Sequence, residues 1–253
     1  MKIVRIKSGD DIAYGIADAD GVEIYRGSPF VAWEPTENVV PWPKVQLLAP
    51  VIPTKVICVG KNYEDHAEEM GGETPKSPLI FMKPATAVTG PDAGVVYPHQ
   101  TKELHHEAEL AVVVSKVARN VKAEDSGSYI LGYTAANDVT ARDLQRSDGQ
   151  WTRAKGFDTF CPLGPAIETE LDPLERLAVI CRVNDEVRQA GFTSDMVFGV
   201  GAIFEYVTAV MTLLPGDVIL TGTPSGVSAV NVGDTMEIEI DGIGTLSNRV
   251  VSR

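Results

Sequence analysis

The chain has 253 residues, 44% of them apolar and 23% charged, which suits one large domain or a domain with a small appendage. A formal charge of −13 and a pI near 4.7 argue against nucleic acid or an anionic membrane surface as a general partner, because phosphate binding relies on Lys and Arg. The N-terminus lacks the apolar stretch of a signal peptide and no segment looks able to span a bilayer, while Cys58, Cys161 and Cys181, without a CxxC pattern, read as reduced, buried thiols of a cytoplasmic protein.

Short alternating apolar and polar steps over 2–7, 12–18 and 22–26, broken by "SGDD" and "DADG", predict a small antiparallel β unit. Pro41, Pro43, Pro50 and Pro53 forbid continuous helix and predict a connector. The boundary therefore falls near residue 50, with a small N-terminal β domain over 1–50 and a second domain over 51–253. "KVICVG" (55–60) reads as a short buried strand, followed by a short helix that Asn62 can cap. On that helix His66 and Glu69 stand at i and i+3, so they share a face. A carboxylate that orients an imidazole makes a general base able to deprotonate water. The same residues also fit an exposed helix with a solvated histidine.

Further strands are expected at 79–83, 109–115, 131–136, 178–183, 217–221 and 235–240. A helix with Asp195 as N-cap is expected over 195–212. This mixture predicts a β-rich α+β fold of rolled or sandwiched sheets. The segment "HHEAELAVVV" places Glu107 and Glu109 two residues apart at the mouth of an apolar strand, hence on one face. Two like charges there repel unless a cation lies between them, and a hard divalent ion suits such oxygens. Asp138, where the apolar strand of "YTAANDVTARDLQ" enters a polar loop, is the candidate third ligand. On the residues alone, a solvated strand end and an N-cap at Asp138 remain open as alternatives. His99, His105 and His106 have no zinc-motif spacing and read as bystanders.

Lys155 lies in "TRAKGFDTFCPLGP", a loop shaped by Gly and Pro. A lysine held beside a metal could stabilise developing negative charge; otherwise it is an ordinary surface residue. "LTGTPSG" (220–226) lacks the phosphate-loop pattern, and its amides and hydroxyls could meet a carboxylate.

In order along the chain, "GKNYEDHAEEM", "FMKPATAVTGP", "HHEAELAVVV", "NDVTARDLQ", "AKGFDTFCPLGP", "PGDVILTGTPSGV" and "IDGIGTLSNRV" closely resemble the fumarylacetoacetate hydrolase superfamily, over roughly residues 50 to 253. The resemblance implies a mixed β-roll or β-sandwich catalytic domain, usually homodimeric, that binds Mg²⁺ or Mn²⁺. It maps the metal ligands onto Glu107, Glu109 and Asp138, the lid-helix pair onto His66 and Glu69, and the active-site lysine onto Lys155. Arg142, Gln145 and Thr223 match substrate-contacting or site-shaping positions. The fourth acidic ligand of the full-length animal hydrolases has no counterpart here, and the run before Lys155, "DGQWTRAKGF", departs modestly from the family's version. The implied activity is cleavage of a C–C bond in an acylpyruvate-type 1,3-diketo acid through a pyruvate enolate, with His66 and Glu69 activating water. Decarboxylation of oxaloacetate and isomerisation of 2-hydroxyhepta-2,4-diene-1,7-dioate use the same enolate chemistry and stand as alternatives.

Overall fold

The apolar run Ala108–Val114 is buried at every residue, as expected of a strand covered on both faces. In the computed structural model, which describes residues 1–252, it is the spine of a twelve-stranded sheet. It pairs antiparallel with Ile130–Asn137 on one side and Val218–Leu220 on the other. Val218–Leu220 runs parallel to Val56–Gly60, and Leu79–Lys83 forms that edge of the sheet. On the opposite side Ile130–Asn137 leads to Cys161–Glu168 and then to the N-terminal strand Lys2–Ser8.

A second sheet of five strands orders Glu186–Phe192, Ala178–Val183, Thr235–Ile240, Gly244–Ser252 and Val95–Tyr97. Alternation along the spine separates two cores. Leu110 and Val112 pack with Val179, Ile238 and Leu246 of the second sheet, whereas Ala111 and Val113 pack on the other face with Cys58, Leu163 and Val218. Glu107 and Glu109 share the parity of Ala111 and Val113. Asp138 shares that of Ala136, which lies in the same cluster. The period of two therefore aims all three acids to one side.

The N-terminal strands Lys2–Ser8, Asp11–Ala17 and Gly21–Ser28 form the expected antiparallel unit. Its first strand continues the large sheet, with Lys2 opposite Glu168 and Ile3 opposite Ile167. A fourth strand, Ala32–Pro41, was not anticipated. It lies at the sheet edge, where its two prolines leave no ladder partner unsatisfied. The proline-rich connector is also more regular than expected, since Trp42–Lys44 makes one 3₁₀ turn and Gln46–Leu48 pairs back on Lys2–Ser8.

Two expected caps are corrected. Asn62 does not cap the helix Glu64–Glu69; its side chain accepts from Phe198 N (2.8 Å) and donates to Phe198 O (3.0 Å) and Thr221 O (2.7 Å). These bonds, with Val197 N donating to Asn62 O (2.8 Å), engage residues 197 and 198, so the helix begins only after Gly199 and spans Val200–Val210. Asp195 instead ends the 3₁₀ turn Thr193–Asp195 and accepts from Phe192 N at 3.1 Å. Among the described residues, no helix is long and apolar enough to cross a membrane.

The three cysteines are buried and unpaired. Burial pushes the Cys161 and Cys181 thiols up to about 12 and raises Cys58 well above its ordinary range. The native protein is therefore expected to resist a thiol-exchange reagent such as DTNB at pH 8, and to react at all three positions in denaturant.

Asp217 ties the segment leading into Val56–Gly60 to the turn before Val218–Leu220. Its carboxylate accepts from Thr54 N (3.1 Å), Thr54 Oγ1 (2.6 Å), Lys55 N (3.2 Å) and Leu214 N (2.8 Å), and pairs with Lys55 Nζ. Asp217→Ala strands these donors and is expected to cost about 3 kcal/mol of stability, read from urea denaturation midpoints.

Candidate active site

At the end of the spine the two antiparallel strands run one step beyond their last pair, Ala108 opposite Asn137, and Asp138 N donates to Glu107 O at 2.9 Å. That extra step holds Glu107 beside Asp138, with Glu109 one pleat further in. One carboxylate oxygen from each of Glu107, Glu109 and Asp138 lies within 4.8 Å of the others, and all three residues are buried. The solvated strand end is thus excluded. So is an N-cap at Asp138, since the next helix, Arg142–Asp148, starts after Ala141.

Cations surround two of the acids. Lys155, the last residue of the short helix Thr152–Lys155, donates to Glu107 Oε2 (2.8 Å) and Asp138 Oδ2 (2.7 Å). It is buried rather than on the surface, with Nζ 5.1 Å from the Phe81 ring centroid. Arg142 pairs with Glu107 Oε1 and reaches Gln145 Oε1 (2.5 Å) one helical turn on. Lys83, at the end of Leu79–Lys83, pairs with Asp138 Oδ1 and donates to Val139 O (3.1 Å). Burial raises the Glu107 carboxyl, but Lys155 and Arg142 outweigh it and hold it well below the usual range. Burial likewise disfavours the charged Lys155, yet the carboxylates of Asp138 and Glu107 raise it above its ordinary value, so it stays protonated.

Glu109 differs from its two neighbours. Its one hydrogen bond comes from Gly222 N (2.6 Å), and burial together with Asp138 and Glu107 raises its carboxyl well above the normal range. Gly222 has φ +99°, and a Cβ there would stand 2.7 Å from Asn62 Cβ, so this donor depends on glycine. Three hard oxygens converging around a carboxylate without its own cation fit a divalent ion of the magnesium and manganese class.

The same cavity, about 190 Å³, is lined by His66, Thr223 and Gln145 as well as by the acids, Arg142 and Lys155. His66 Nδ1 lies 3.1 Å from Glu69 Oε2, and Glu69 in turn accepts from Gly226 N at 3.1 Å, tying the short helix to the loop "TGTPSG". Thr223 Oγ1 donates to Ala108 O (2.8 Å) and accepts from Gln189 Nε2 (2.8 Å), so it braces the strand entrance while lining the cavity. All nine candidate residues gather here except that Glu69 stands behind His66 rather than on the wall.

His105 and His106 are not among the acids' close ligand set. His105 Nδ1 accepts from Arg142 Nε at 3.4 Å, and His106 is fully buried between Gln189 Oε1 and Ser228 Oγ, both at 2.9 Å. Burial drives the His106 imidazole down to about 4. Residues that sequence reasoning passed over include Lys83, Gln189, Trp151 and the Gly222 amide. Lys83 carried a usable signal, a lone charge ending the apolar run "LIFM". The Gly222 amide, a backbone group, carried none.

Residues 55–251 match the model of the fumarylacetoacetate (FAA) hydrolase C-terminal family, and residues 1–50 match that of the Rv2993c-like N-terminal family. The human mitochondrial oxaloacetate tautomerase FAHD2B is 46% identical over 226 residues, covering 84% of this chain and 72% of that protein. The structure of 2-hydroxyhepta-2,4-diene-1,7-dioate isomerase from Mycobacterium marinum superposes with a TM-score of 0.92 at 46% identity, covering 100% of this chain and 99% of that one. Maleylpyruvate hydrolase from Sphingobium sp. SYK-6, solved with manganese(II) and pyruvate, superposes with a TM-score of 0.82 at 31% identity over 100% and 99% of the chains.

Proposed function

Because this chain belongs to the fumarylacetoacetate hydrolase family, we propose that it is a divalent-metal-dependent enzyme that interconverts a small 2-oxo acid and its enol. The observation that carries the reading is the meeting in one cavity of the Glu107–Glu109–Asp138 cluster, protonated Lys155 and the His66–Glu69 pair. The tautomerase and isomerase relatives, each 46% identical, favour proton transfer over cleavage, and the hydrolase relative stands at 31%.

Glu107, Glu109 and Asp138 would hold Mg²⁺ or Mn²⁺, which when bound supplies Lewis-acid polarisation of a 2-oxo group. His66, oriented by Glu69, takes the proton from C3 of the substrate. The negative charge then developing on the 2-oxo oxygen is met by the Lys155 ammonium, which its carboxylate partners keep charged and therefore unsuited to act as a base. A proton from solvent neutralises that oxygen to give the enol, while protonated His66 releases the C3 proton to solvent; the same transfers in reverse regenerate the 2-oxo acid. Arg142, positioned by Glu107 and Gln145, faces the cavity as the anchor for the substrate carboxylate.

The second reading is C–C hydrolysis of an acylpyruvate, in which His66 deprotonates water instead of C3. The 3.1 Å contact between His66 and Glu69 favours it equally. A panel of oxaloacetate, acetylpyruvate, fumarylpyruvate and 2-hydroxyhepta-2,4-dienedioate with Mg²⁺ or Mn²⁺ separates the two by kcat/KM. Faster tautomerisation of oxaloacetate than cleavage of either acylpyruvate is expected; the reverse order selects the hydrolase. A homodimer belongs to the same proposal, and a monomer mass in analytical ultracentrifugation would remove it.

A further inference from the structure

Four cationic side chains besides His66 line the cavity: Lys61, Arg142, Arg146 and Lys155. Three are committed to acids of the protein. Arg142 and Lys155 pair with Glu107, Lys155 also with Asp138, and Arg146 with Glu103. Lys61 has no carboxylate within ion-pair distance among the described residues. Its backbone is held in the left-handed region at φ +56°, a conformation a lysine adopts only under local constraint. The constraint has visible sources: Gly60 before it pairs with Leu79, and Asn62 after it is fixed to Phe198 and Thr221. The side chain is directed toward the loop after the His66 helix, where a Cβ on Gly72 would stand 2.6 Å from Lys61 Nζ. Glycine at 72 leaves the room that the ammonium occupies.

We infer that Lys61 is a specificity-determining residue that recognises a second, distal carboxylate, so that the enzyme prefers 2-oxo dicarboxylates to 2-oxo monocarboxylates. This rests on the 2-oxo acid reading of the site. The 2-oxo carboxylate end falls to Arg142 and to the divalent ion that the acid cluster would hold, and Lys61, the cation without an internal partner among the described residues, is the one free to meet a further anion. A charge-assisted hydrogen bond to a carboxylate is worth enough to set a preference of about tenfold.

The test uses the Mg²⁺-loaded protein and a matched pair of five-carbon probes, 2-oxoglutarate and 2-oxopentanoate, with dissociation constants from calorimetry. The wild type is expected to bind 2-oxoglutarate about tenfold more tightly. Lys61→Asn removes the charge while tolerating the left-handed backbone, and should bring that ratio close to one; Lys61→Arg should keep it. Thermal melts of each variant report folding independently. An unchanged ratio in Lys61→Asn, or a wild type that binds both probes equally, overturns the inference while leaving the 2-oxo acid reading standing. A wild type that binds neither probe overturns both.

Discussion

Glu109→Gln is expected to abolish binding of the divalent cation and to lower turnover about a thousandfold, the rate equivalent of the several kcal/mol that a Lewis-acid cation contributes. The same substitution should stabilise the metal-free fold. It replaces a buried carboxylate whose environment already resists ionisation, through burial first and then the proximity of Asp138 and Glu107. A carboxyl raised in the folded state contributes stability that is present below its unfolded value near 4.5 and is lost as pH rises toward the folded value. In metal-free protein, the Tm advantage of Glu109→Gln should therefore grow as pH rises above about 4.5. Adding Mn²⁺ should raise the Tm of the wild type and leave the variant unmoved. A variant that keeps wild-type affinity for Mn²⁺ contradicts the ligand assignment.

The second large effect is expected at His66. His66→Ala removes the group that carries the C3 proton and should slow oxaloacetate tautomerisation by about 10²–10⁴-fold. Decarboxylation of the same substrate breaks the C3–C4 bond without taking a proton from C3, so the variant should retain it to within about tenfold. Measuring both reactions on one protein separates proton transfer from a general loss of binding. Equal losses would mean that His66 holds the site together rather than moving a proton.

The parts of the site that follow from local periodicity were legible in the residues. Glu107 and Glu109 are two apart on a strand, and His66 and Glu69 are three apart on a helix; both pairs meet as those spacings require. The parity of Ala136 and Asp138 brings the third acid to the same face. The parts that depend on distant segments were not legible. Lys83 reaches Asp138 across 55 residues, and the Gly222 amide reaches Glu109 across 113, by strand pairings that no local pattern encodes. Asn62 and Asp195 failed as helix caps for the same reason, because tertiary hydrogen bonds at Phe198 and Thr221 claimed Asn62 and left Asp195 in a separate turn. The strand Ala32–Pro41 was obscured by its prolines, which are tolerable only because the strand is at an edge.

These long-range contacts also explain why a buried cluster of like charges is compatible with the fold. Glu107 and Asp138 are neutralised by Arg142, Lys155 and Lys83 before any metal binds. Of the three acids Glu109 alone lacks a cation among the described residues, and it is there that the proposed divalent ion would complete the balance of charge.

Metal dependence is tested most directly by treating the purified protein with EDTA, dialysing it, and titrating Mn²⁺ while oxaloacetate tautomerisation and bound metal are followed together. The account predicts negligible activity at the start and recovery in step with one tight Mn²⁺ per chain. Full activity in the stripped protein, or recovery without stoichiometric binding, would contradict it.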